Sequence, residues 1–192
     1  MRTPVLLAVI AASGATGLIA ASIVTGSVPA QPGSDRPDDA VPASIRVIAR
    51  TSDPRGGPDW GVRAYQGATG LRCLSVGRLN GKRFGRLDDS GQITELGADG
   101  SGSCGATSAG PTQLAVSRAA ASKRVPASST LFGTVDAAQV AALRVTDPRG
   151  ATSEVAVSTG AVLMLVEGSD APTGSWVIEL TLADGRKESI TL

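Results

Sequence analysis

From Ser44 to the C-terminus the apolar residues recur with a period of two rather than 3.6, the signature of half-buried strands. Ile45, Val47 and Ala49 alternate with Arg46, Ile48 and Arg50; Trp60, Val62 and Ala64 alternate with Arg63 and Tyr65; Leu71 and Cys73 lie opposite Arg72. Asn80-Gly81 between two such runs predicts a tight hairpin, because a type I′ turn requires positive φ twice. Leu87–Ile93 predicts a second tight connection, and the Gly/Ser loop Gly97–Gly105 leads to Cys104. Further on, Leu143 with Val145 and Val155 with Val157 mark two strands, and the unbroken apolar run Ala161–Val166 predicts a central one. Trp176, Ile178, Leu180 and Leu182 form another alternating face, and Asp184-Gly185 turns the chain into a last strand through Ile190. Val135–Leu143 is the one helix candidate, as a single turn, and Pro111–Val125 is ambiguous between helix and strand. The expected fold is all-β: an antiparallel, sandwich-like ectodomain after an N-terminal apolar helix. It is either one large sandwich or two subdomains, residues 44–110 with the cysteines and residues 111–192, the second immunoglobulin-like.

The N-terminus breaks this pattern. Val5–Val24 reads VLLAVIAASGATGLIAASIV, twenty residues without a charge, preceded by Arg2. A membrane span needs roughly 20 apolar residues and a secretory signal about 7–15. The length points to an uncleaved anchor, whereas Val28-Pro29-Ala30 is an acceptable cleavage site. Residues 1–30 are therefore an anchor or a signal peptide, and both place the remainder outside the cytoplasmic membrane, bound to it or secreted. Residues 31–43, rich in Pro and Asp, read as a linker. Cys73 and Cys104 are the only cysteines, an even count suited to a disulfide in an exported chain. Closing that loop contributes about 3–4 kcal/mol on the loop-entropy model.

Composition narrows the chemistry. The chain has no histidine, which removes imidazole metal sites, His-based triads and the commonest general base at neutral pH. No Gly-x-Ser-x-Gly elbow and no Ser-x-x-Lys motif is present. Asp88-Asp89, Glu154, Glu167 and Glu179 fall where turns or solvent-facing strand positions are expected. Asp88–Glu95 lacks the ligand spacing of a calcium loop. Neither metal nor cofactor is expected. Ser52–Gly56 and Thr146–Gly150 share Asp-Pro-Arg-Gly, the preference order of a type I turn, and are read as turns. Trp60 and Trp176 each continue an apolar face and are read as core anchors.

Net charge is +1, giving no global field for nucleic acid. Residues 44–96 nonetheless carry nine basic and five acidic side chains, and residues 128–192 carry four and eight. On the simple alternation Arg46, Arg50, Arg63, Arg72 and Arg78 fall opposite the apolar face. They are the candidate binding residues, for an anionic envelope polymer or an acidic protein partner.

Pro58–Gly105 carries Trp-x-Val-Arg-x-Tyr, Gly-Leu-x-Cys, Val-Gly-Arg, Phe-Gly and a closing Cys-Gly. This quarter of the chain resembles a segment of uncharacterised exported or membrane-anchored β-rich proteins of high-GC Gram-positive bacteria. The resemblance implies location and fold class, and no activity or site residues. The expected function is a non-catalytic extracytoplasmic binding or structural module of the cell envelope, tethered through residues 5–24. Its rivals are a membrane-anchored sensory ectodomain coupled to a partner protein and, behind it, a carboxylate-dependent hydrolase.

Overall fold

The computed structural model describes Leu6–Leu7 and residues 40–67, 69–95, 102–105, 110–123, 125–168 and 173–192. Fourteen strands among these residues form antiparallel sheets. They are β1 (Leu6–Leu7), β2 (Arg46–Thr51), β3 (Asp59–Gln66), β4 (Arg72–Asn80), β5 (Arg83–Leu87), β6 (Ile93–Glu95), β7 (Gly102–Gly105), β8 (Thr112–Ala119), β9 (Ser128–Val135), β10 (Val140–Thr146), β11 (Thr152–Val155), β12 (Ala161–Glu167), β13 (Val177–Leu182) and β14 (Lys187–Thr191).

The first sheet runs β2-β3-β4-β5-β6, and the second edge of β4 is shared between β5 at one end and β7 at the other. Cys73 and Cys104 sit directly opposite each other on β4 and β7 and are bonded. The remaining strands form a sandwich of β1-β12-β9-β8 against β11-β10-β13-β14, so neighbours in space come from distant parts of the chain.

The sheet β8-β9-β12 is buried on both faces. Val162, Met164 and Val166 of β12 join Leu131, Val145, Trp176 and Ile178 in the core of the sandwich. Ala161, Leu163 and Leu165, the alternate residues, join Phe132 and the first sheet's Trp60, Val62, Leu74 and Val76 in a second core. A strand apolar at every position is what a doubly covered layer requires. Trp176, 0 % exposed, spans the sandwich and donates its indole N–H to Ser129 Oγ at 2.8 Å.

Several expectations shift in detail. The hairpin loop between β4 and β5 is Gly81-Lys82, one residue beyond Asn80-Gly81, because Asn80 already pairs with Arg83. Gly81 takes φ +59° there, leaving Asn80 free to close the ladder. The helix candidate at Val135–Leu143 splits: Val135 ends β9, one turn closes with Val140 N donating to Asp136 O, and β10 begins. Asp136 overrides the helical propensity of the alanines by accepting from Ala138 N and Gln139 Nε2. Pro111–Val125 resolves as strand β8 over Thr112–Ala119. The predicted N-terminal helix falls outside the described residues except at Leu6–Leu7. These two are extended, not helical, and pair with Leu165 and Met164 on the otherwise open edge of β12. No helix among the described residues is long and apolar enough to cross a membrane.

Candidate functional site

The two Asp-Pro-Arg-Gly segments are the same turn built twice. Gly56 N donates to Asp53 O at 3.0 Å, and Gly150 N to Asp147 O at 2.9 Å. In each, the Asp Oδ1 accepts the backbone N–H of the Arg two residues on, Arg55 at 2.9 Å and Arg149 at 2.8 Å. The first turn joins β2 to β3 and the second joins β10 to β11. Both reach the end of β12. Arg55 Nε lies 3.1 Å from Glu167 Oε2, and Arg149 Nη2 donates to the Glu167 carbonyl.

Beneath them lies Arg78. Its Nη1 donates to Asp53 Oδ2 at 2.5 Å and to Pro58 O at 3.0 Å, and its Nη2 to Glu167 Oε1 at 3.5 Å. The side chains of Arg78, Asp53 and Glu167 are 4 %, 5 % and 8 % exposed. Trp60, opposite Arg78 in the ladder, offers its ring face to the guanidinium, 3.9 Å from its centroid. Charge removed from water to this degree survives only when paired and hydrogen-bonded. Burial pushes the Glu167 carboxyl above its ordinary value; Arg55 and Arg78 pull it back, and the charge of Asp53 adds to the rise. Burial also lowers the proton affinity of Arg78, with Asp53 opposing.

The five arginines proposed as one surface do not share a face. Register puts Arg46, Arg72 and Arg78 on the side of Val62, Leu74 and Val76, which faces the sandwich, and Arg50 and Arg63 on the other side. Two shifts of phase cause this. A bulge between Val47 and Ala49 reverses the alternation of β2, and β4 directs Leu74 and Val76, not Leu71 and Cys73, to the shared core. Arg50 pairs with Asp59 at 2.5 Å. Arg63 stacks on Phe84 at 4.1 Å and donates to Lys82 O. Arg78 belongs to the buried cluster. Alternation alone therefore misassigned Arg78 and Glu167, the latter expected at a solvent-facing position but 8 % exposed, and overlooked Asp53, Arg55 and Arg149; the repeated Asp-Pro-Arg-Gly was the available signal.

Asp53 and Glu167 are the one carboxylate pair gathered by this cluster, and the Arg78 guanidinium lies between them. The two acids and the cation between them tie the first sheet to β12. In the former calcium-loop candidate, Asp88 Oδ1 accepts from Ser90 N, Ser90 Oγ and Gln92 N, an Asx turn. No group of three or more metal-ligating side chains occurs among the described residues. The exposed large apolar side chains among them are Val41, Ile45, Val47 and Leu71. All four lie near the end of the first sheet where the chain enters, since Val41 N donates to Gln66 O and Gly67 N to Leu71 O. Comparison of the chain with protein-family models, with curated proteins and with solved structures finds no match.

Proposed function

We propose that the chain is a non-catalytic module of the cell envelope, exported by residues 5–24 and held at the outer side of the membrane by them, or freed by cleavage after Ala30, in both forms without the Leu6–Leu7 pairing to β12. The observation that carries this reading is the Cys73–Cys104 bond in a chain that also carries the charge-free apolar segment Val5–Val24. Such bonds persist in oxidising compartments and are rare in the cytosol.

Two features support the structural half of the reading. The buried charges of Arg78, Asp53 and Glu167 join the first sheet to β12. The exposed apolar side chains gather where the linker of residues 31–43 enters, the end a tether would hold nearest the bilayer. The arginines Arg46, Arg50, Arg63, Arg72 and Arg78 form no single binding face in this reading, because two faces of the sheet divide them.

The test is the intact mass of the native protein, recovered separately from membranes and medium, before and after reduction. A full-length membrane species, or a released one beginning at Gln31, gaining two hydrogens on reduction, is the expected result. Two free thiols in the native protein, or its recovery from the cytosol alone, overturns the reading.

A further inference from the structure

We propose that β7 is a redox-releasable strand, held to the edge of β4 by its disulfide and freed by a dithiol reductant while the sheets stay folded. Three observations carry this. First, β7 stands off the main strand path and pairs with β4 alone, over Arg72–Ser75. Second, β7 is Gly-Ser-Cys-Gly, so it brings no apolar side chain to either core apart from its half-cystine. A strand of glycine and serine has little burial to offset the entropy of ordering it. Third, neither hydrophobic cluster contains Cys73, Cys104 or any residue of β7. The bond thus lies outside the packing that holds the three layers together.

The two sulfurs also differ in access. Cys73 is 1 % exposed, and Cys104 is half-buried. A thiolate of the dithiol attacks Cys104 Sγ, the S–S bond breaks, and Cys73 leaves as a thiolate that takes up a proton. The second thiol of the reductant then displaces the Cys104 thiol and closes its own disulfide. Two electrons and two protons pass from the dithiol to the protein. Without the bond, β7 keeps four residues of ladder, and none of them belongs to either hydrophobic cluster of the described residues. Its departure leaves Arg72–Ser75 unpaired along one side, a sheet edge opened on demand.

Hydrogen exchange of the whole native chain, before and after dithiothreitol, tests this. The expected result is at least a tenfold loss of protection in Gly102–Gly105 and on the exposed side of Arg72–Ser75. Leu131–Val135 and Val162–Val166 should keep theirs. The variant Cys73→Ser/Cys104→Ser should match the reduced wild type with no reductant added. Unchanged protection of β7 after reduction overturns the proposal, and so does loss of protection throughout the chain.

Discussion

Trp60 and Arg78 face each other across β3 and β4, with the guanidinium carbon 3.9 Å from the centre of the ring. The stack holds Arg78 in a plane from which it reaches Asp53 on one side and Glu167 on the other. One cation thereby joins the first sheet to β12 of the sandwich, beside the apolar core that Trp60 enters. The apolar contact supplies the burial energy. The charges fix which ends of the sheets meet.

Arg78→Met tests that division of labour. It removes the cation and leaves two buried carboxylates, a change that costs about 3–5 kcal/mol. For a chain of this size the expected fall in Tm is roughly 6–20 °C. Adding Asp53→Asn and Glu167→Gln should recover part of the loss, measured by urea unfolding. A single variant as stable as the wild type would mean that the cluster contributes nothing to stability.

Glu167 gives a pH signature of known sign. Its carboxyl is raised above the ordinary 4.5 by burial, so the native state holds its proton more tightly than the unfolded chain. The contribution of this group is fully present below 4.5 and is lost as pH rises through the raised value. Glu167→Gln should remove that component from the stability–pH profile. Asp88, held below the ordinary 3.8 by its Ser90 and Gln92 hydrogen bonds, acts oppositely: its contribution is lost as pH falls through its lowered value. Glu167→Gln and Asp88→Asn should therefore tilt the acid limb in opposite directions.

What could be read from the chain depended on whether one local rule decided it. The run Ala161–Val166 declared a doubly buried strand because no polar residue interrupts it, and the Asp-Pro-Arg-Gly turns followed from local dihedral preferences. The facing of the arginines did not follow. The bulge in β2 falls within the apolar run Val47–Ala49, where hydrophobicity alone does not say which residue is the extra one, and everything beyond it changes face. The meeting of Arg55 and Arg149 at Glu167 is a tertiary fact, carried by residues 18 to 112 positions apart along the chain. Repetition of the turn showed only that it mattered twice.

Trp176 and Ser129 offer a test of the sandwich itself. Trp176→Phe removes the indole N–H that reaches Ser129 Oγ across the core and leaves a gap behind it. The expected cost is about 3 kcal/mol from the lost bond and the cavity together. Ser129→Ala alone should cost about 1 kcal/mol. The double variant should cost less than the two singles combined, by a coupling of about 0.5 kcal/mol or more. Strict additivity would show that the bond makes no net contribution.

Gly133 in β9 marks where two backbones approach too closely for any side chain. A Cβ placed there would lie 2.0 Å from Gln113 O and 2.9 Å from Leu114 Cα, atoms that belong to the paired strand β8 and cannot swing aside. The strand must then separate from β9 or the ladder must slip. Since β9 carries Leu131 into one core and Phe132 into the other, either response disturbs both. Gly133→Ala should therefore cost about 3 kcal/mol or more, the upper end of overpacking effects. Gly150→Ala is the informative comparison: nothing lies within 4 Å of its added Cβ, and only φ +82° opposes it. That variant should lose about 1–2 kcal/mol through backbone strain alone. Thermal unfolding of the pair separates steric exclusion from conformational strain, and a Gly133→Ala chain as stable as Gly150→Ala would show that β8 can yield to the methyl group.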